Sequence, residues 1–95
     1  MKYPEAQIQR VREIVHYNPS TGIFTNVARR CHCKVGAQAG HLHSDGYRHI
    51  GLDGRQYKEH RLAWLYIHGR WPVDQIDHIN MNKSDNRLCN LREAT

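Results

Sequence analysis

At 95 residues the chain has room for one small domain, which buries only about 60 to 65 per cent of its unfolded surface and leaves little space for a large pocket. Fourteen lysines and arginines against nine acids give a formal charge of +5, with eight histidines in reserve below neutral pH, so a polyanionic partner is favoured. No stretch approaches the roughly 18 apolar residues of a membrane span, and the opening "MKYPEAQIQR" lacks the apolar core of a signal peptide, which points to a cytosolic site of action.

Ile8, Val11, Ile14 and Val15 recur at helical spacing in "PEAQIQRVREIVH", with Pro4 and Glu5 suited to a first turn, and predict an amphipathic helix from Pro4 to His16. "NPSTG" reads as a turn and "GIFTNV" as a short strand, followed by a basic, cysteine-containing loop through Gly36. Cys31, Cys33 and Cys89 are odd in number and read as free thiols in a reducing compartment. Asp45-Gly46 and Asp53-Gly54 flank "YRHIGL" and supply the positive backbone angles of tight hairpins, which predicts a three-stranded meander. Its middle strand sets Arg48, Ile50 and Leu52 on one face and Tyr47, His49 and Gly51 on the other.

"EHRLAWLYIHG" is dense enough in Leu62, Ala63, Leu65 and Tyr66 for a buried helix ending at Gly69. After Pro72, "VDQIDHI" reads as a strand with Asp77 and His78 on opposite sides, then "NMNKSDN" as a polar loop, and "LCNLREAT" as the first turns of a further helix. The charge is uneven: residues up to Arg30 carry a net +3, whereas the three bases and three acids from Asp77 to Thr95 cancel. The terminal stretch is therefore not a basic tail.

"HRLAWLYIHGRWP" followed by "IDHINMNKSDNRLCNLREAT" resembles the HNH endonucleases of phages and mobile introns, a branch of the ββα-metal, or His-Me finger, nucleases. The resemblance runs at least from Gly46 to Thr95, and "YNPSTGIFTN" is similar to the family's opening segment. A bare Asp-His pair is more often a solvated strand surface; the specific signal is Asp-His-Ile-Asn, a polar loop, Ser-Asp-Asn-Arg and Asn-Leu-Arg in register. The resemblance implies metal-assisted hydrolysis of phosphodiesters in double-stranded DNA, in the cytosol of a phage-infected or bacterial host. His78 matches the general base, since an imidazole with a pKa of about 6.5 accepts a proton from water at working pH, a role worth roughly 100- to 10,000-fold. Asp77 matches a ligand for one Mg²⁺ or Mn²⁺, whose hardness suits carboxylate oxygen. Asn90, grouped with His78 in the catalytic set, matches the middle residue of the HNH triplet, whose amide braces the loop and helps orient the base. Asn82 and Asn86 are expected to satisfy loop backbone groups. Arg29, Arg30, Lys34, Arg48, Arg61, Arg87 and Arg92 are the candidate DNA contacts. The family's remaining metal ligand stands further along the final helix, and the sequence ends at Thr95 before it, which predicts weak ion binding and slow turnover for these 95 residues.

The expected architecture is therefore α+β: one domain over residues 1–95, with a small antiparallel sheet, N-terminal and central helices, and a ββα-metal unit whose last helix is cut short. Residues 1–60 form its helix and sheet region and 61–95 the buried helix with the HNH motif. Cys31, Cys33, His41 and His43 invite a zinc reading, but one residue between the members of each pair is closer than familiar zinc modules allow, and zinc is not expected. A non-catalytic DNA-binding module would use the basic loop and the polar sheet face on phosphates alone. A protein-interaction domain would bind no nucleic acid.

Overall fold

The computed structural model describes residues 7–28 and 34–94. α1 (Ile8–Ile14) turns Val11 and Ile14 inward and stops where Val15, the expected continuation of the helix, goes extended. Val15 and His16 belong instead to β1 (Val15–Asn18), which pairs antiparallel with β2 (Ile23–Asn26). β-branched Val15 and Tyr17 sit on the buried side of that strand, an arrangement a pleated surface accommodates better than a helix.

β3 (His41–Leu42), β4 (Arg48–Leu52) and β5 (Arg55–Lys58) form the expected meander, in the order β3-β4-β5. Asp53 and Gly54 both take positive φ, 50° and 81°, as a two-residue hairpin turn requires. In the wider β3–β4 turn only Gly46 does, at 87°. The Asp53 carboxylate also receives a two-pronged bond from Arg10, at 2.9 Å on each oxygen, tying α1 to this turn. Both side chains are about half exposed, so the pair adds little stability.

α2 (Glu59–His68) follows β5 without a break and packs on α1, β4 and β5. Gly69 ends it in the left-handed conformation, its amide bonded to the Leu65 carbonyl at 2.8 Å. One core joins Val11, Ile14, Tyr17, Phe24, Ile50, Leu52, Leu62 and Leu65 to Ile76 and Leu91 of the last hairpin, so residues on both sides of position 60 share it.

That hairpin corrects the expected final helix. Leu88–Asn90 make one 3-10 turn, and Leu91–Ala94 form a strand, β7, paired antiparallel with β6 (Gln75–His78) in the register His78↔Leu91 and Asp77↔Arg92. Leu-Arg-Glu-Ala has good helix propensity, but Leu91 is needed in the core, and pairing satisfies the backbone groups of β6.

The polar loop between these strands rests on the turn of the first hairpin. Leu88 donates its amide to the Pro19 carbonyl at 3.0 Å, and Tyr17 Oη donates to the Asn86 carbonyl at 2.5 Å. Gly22, at φ 76°, lies so close to the Asn86–Arg87 peptide that a Cβ would overlap both the Asn86 carbonyl carbon and the Arg87 nitrogen. Gly22→Ala is thus expected to destabilise the domain by about 1–3 kcal/mol, through overpacking against backbone and a left-handed φ. Urea denaturation measures this, and a loss below about 0.5 kcal/mol would mean that the two turns are not in firm contact.

Candidate functional site

The crowd of amides at the C-terminal end is the internal scaffolding of the loop from Ile79 to Asn90. The Asn90 Oδ1 accepts the Asn80 amide at 2.9 Å, while its Nδ2 donates to Asn80 Oδ1 and to the Asp85 carbonyl, each at 2.9 Å. Asn80 Oδ1 also accepts from the Asn82 amide, and Asn82 Oδ1 from the amide and hydroxyl of Ser84. Asn90 is 4% exposed, so it braces the loop from within and is screened from any substrate.

Arg87 forks onto Asp85 at 2.8 and 2.7 Å, and these bonds, with one from Asn80, hold the Asp85 carboxyl well below the usual carboxylate range. One of the candidate DNA contacts is thereby turned partly to the loop's own support. Met81 takes φ 66° at the loop's corner, where its amide reaches the His78 carbonyl at 2.9 Å.

Asp77 and His78 leave opposite faces of β6. Asp77 is exposed beside Arg92, with Arg92 Nη2 at 3.5 Å from Oδ2. His78 is half-buried, and its Nε2 meets Asn86 Oδ1 at 2.9 Å. An amide oxygen only accepts, so this bond puts the proton of the neutral ring on Nε2 and leaves Nδ1 with its lone pair. Asn86, expected to serve the loop backbone, instead meets the imidazole; it is 1% exposed.

Around His78 stand residues that the sequence did not single out. The His60 ring lies edge-on to His78 with centroids 4.9 Å apart, and the tilted Tyr47 ring lies 5.2 Å from His60 and 6.0 Å from His78. Lys58 and Lys83 both point at the Tyr47 ring, at 4.4 and 4.9 Å from its centre. A cavity of about 220 Å³ opens between Tyr47, Lys58, His60, Arg61, Gln75 and Ile76. Burial, then the nearby His78 and Lys58, drive the His60 pKa down to about 3, so its ring stays neutral at every physiological pH. The available cue was His60 next to Arg61 at a strand-to-helix junction, but hairpin register alone does not bring Tyr47 and Lys83 onto it.

The expected DNA contacts divide. Arg61 lines the cavity, with its guanidinium 5.8 Å from the centre of Trp71. Lys34 and Arg92 are exposed. Arg48 is a correction: it points inward, giving Nε to Glu59 Oε2 at 3.1 Å and Nη2 to the Ala39 carbonyl at 3.2 Å, because the buried Glu59 carboxylate needs a counter-charge. Arg29 and Arg30 lie outside the described residues, as do Cys31 and Cys33 of the zinc reading.

Among the described residues no group of three or more His, Cys, Asp or Glu side chains is placed to hold a metal ion. What the hairpin offers is the single exposed Asp77 carboxylate, without a hydrogen-bond donor closer than Arg92. That donor set fits Mg²⁺, which keeps several waters and takes one or two carboxylates together with substrate phosphates. Among the described residues, no helix is long and apolar enough to cross a membrane.

These features define a small α+β domain whose C-terminal hairpin displays an aspartate-histidine pair, the histidine packed against His60 and Tyr47, which line a basic cavity. Residues 57–95 match the family model "HNH endonuclease". The fold is similar to that of the HNH homing endonuclease I-HmuI, in a solved structure describing DNA binding and cleavage by that enzyme, with a TM-score of 0.67 and 26% identity. The alignment covers 95% of this chain and 51% of that one, so the chain spans about half the length of this relative. No curated protein matches the sequence significantly.

The buried histidine carries a measurable pH signature. A group whose pKa falls on folding, here from an ordinary 6.5 to about 3, contributes stability that is present above about 6.5 and lost progressively as the pH drops towards 3. Glu59 acts in the opposite sense: burial pushes its carboxyl up to about 7 against the pull of Arg48, so its contribution is full below about 4.5 and declines as the pH rises through 7. His60→Phe removes only the first effect. Its urea midpoint should therefore rise relative to the parent's as the pH is lowered from 7 to 4.5, and a pH-independent difference would mean that His60 is not kept neutral by the fold.

Proposed function

We propose that the chain is the DNA-cleaving part of an endonuclease that hydrolyses phosphodiester bonds in double-stranded DNA, with His78 as general base. The observation that carries this reading is the hydrogen bond between His78 Nε2 and the buried Asn86, which leaves Nδ1 with its lone pair on a ring packed against His60 and Tyr47, two residues that line a cavity together with Lys58 and Arg61. In this reading Lys58, Arg61 and Lys83 hold phosphate groups, and His78 Nδ1 withdraws a proton from the attacking water. Asp77 is a ligand of one Mg²⁺ or Mn²⁺, which when bound supplies positive charge to the phosphate under attack. Arg92 is the counter-ion that the metal would displace. The known activity of the homing endonuclease I-HmuI supports the same substrate class. The enzyme would act in the host cytosol.

His78→Ala is expected to lower plasmid nicking by at least roughly 100-fold while leaving DNA affinity nearly unchanged, the loss typical of a missing general base. Retention of more than about a tenth of the parent rate would remove His78 from that role. Asp77→Ala should instead move the Mg²⁺ or Mn²⁺ concentration needed for half-maximal nicking upward, and an unchanged midpoint would take Asp77 out of the metal's shell.

The basic rim predicts salt-dependent affinity with a log-log slope of about 0.9 per neutralised phosphate. Replacing Lys58 and Lys83 together by Ala should flatten that slope by about 1–2. An intact slope would place the footprint elsewhere, and binding without any cleavage in the parent chain would favour the non-catalytic DNA-binding module.

A further inference from the structure

His78 is held by a side chain whose own orientation is ambiguous in principle. The two ends of an asparagine amide have the same shape, and rotated by half a turn Asn86 would offer N–H groups to the imidazole instead of an oxygen. The imidazole would then have to accept at Nε2 and carry its proton on Nδ1, the nitrogen that the proposed reaction needs free. Something must select between the two orientations.

Glu59 is placed to do so. Its carboxylate, 1% exposed in the first turn of α2, lies near enough to the Asn86 amide for that group to favour its charged form, and Asn86 Nδ2 is itself fully buried and makes no well-aligned hydrogen bond to any acceptor. Arg48 occupies Oε2 at 3.1 Å and is anchored in turn on the Ala39 carbonyl, and Gly40 closes the pocket so tightly that a Cβ there would overlap the same Oε2. On the other side, Tyr17 fixes the Asn86 backbone through its carbonyl. An amide oxygen turned towards a buried carboxylate would set two acceptors face to face, whereas an N–H group turned towards it is attracted.

We infer that Glu59 is a positioning residue for His78: by drawing the Asn86 amide group towards itself it aims Asn86 Oδ1 at the imidazole and so fixes the proton on Nε2 and the lone pair on Nδ1. The inference rests on the assignment of His78 as base, but the tautomer is a property of the folded chain whether or not it cuts DNA. Loss of cleavage with the expected tautomer would count against the nuclease reading alone.

The test is a long-range ¹H–¹⁵N NMR spectrum of the histidine rings in the full chain, at a pH where the imidazole is neutral, with His78 assigned by its absence from His78→Ala. The parent should show a single form protonated at Nε2. Glu59→Gln should lose that single-tautomer signature, because a second amide no longer dictates how Asn86 turns. The double variant Glu59→Gln with Asn86→Asp should regain it, since a carboxylate presents an acceptor either way round. A merely structural role for Glu59 gives no such rescue. A parent protonated at Nδ1, a Glu59→Gln chain with the parent's tautomer, or a folded double variant without rescue would each overturn the proposal. Should Glu59→Gln fail to fold, the parent still decides: contacts from the Asn86 side-chain amide protons to Glu59 Hγ uphold the orientation, and contacts to the His78 ring instead overturn it.

Discussion

Burying one carboxylate constrains most of this molecule. Removing Glu59 from water is unfavourable unless a counter-charge and hydrogen bonds replace the lost hydration, and a buried pair broken on one side typically costs about 3–5 kcal/mol. Meeting that demand ties together α2, on which Glu59 stands, the middle strand of the meander through Arg48, and the approach to β3 through the Ala39 carbonyl and Gly40. Apolar contact alone would hold these elements with less exact relative placement, because packing of Leu62, Ile50 and Ile76 tolerates small slides that a buried ion pair does not.

Much of this was legible in the residues. The Asp53-Gly54 turn, the α2 helix with its Gly69 terminator and the alternation in β6 each follow from local chemistry, and the resemblance singled out the segment that carries Asp77 and His78. What could not be read depends on contacts between distant segments. Leu91–Ala94 has a helical composition and becomes a strand because β6 is there to pair with it. Arg48 looks like one more surface cation until its neighbour eleven residues along proves to be a buried acid. His60 and Lys83, more than 20 positions apart, meet around Tyr47 only once the meander, α2 and the final loop are packed.

The strand that carries the aspartate-histidine pair separates its two members by the simple alternation of side chains. His78 faces a half-buried polar surround of Asn86, His60 and Tyr47, while Asp77 faces solvent with Arg92 across from it. The two environments suit different chemistry: a ring nitrogen needs a defined partner to keep its proton in place, and a carboxylate that exchanges one cation for another needs access to water. Consecutive residues on one strand are therefore placed in an enclosed setting and an open one, without a second structural element to divide them.

The seating of the final loop on the β1–β2 turn, through Pro19, Tyr17 and the close approach of Gly22, bears on how far the motif can be regarded as a module. Residues 57–95 are the segment that the family model matches, yet the peptide that positions Asn86 is clamped by a hairpin residue 69 positions upstream, outside that segment. Transplanting the pattern into another scaffold would carry the chemical groups without the clamp. Shuffling among relatives should therefore preserve the pairing of the two hairpins, so that substitutions at Gly22 or Tyr17 and those in the loop from Asn86 to Leu88 are inherited together.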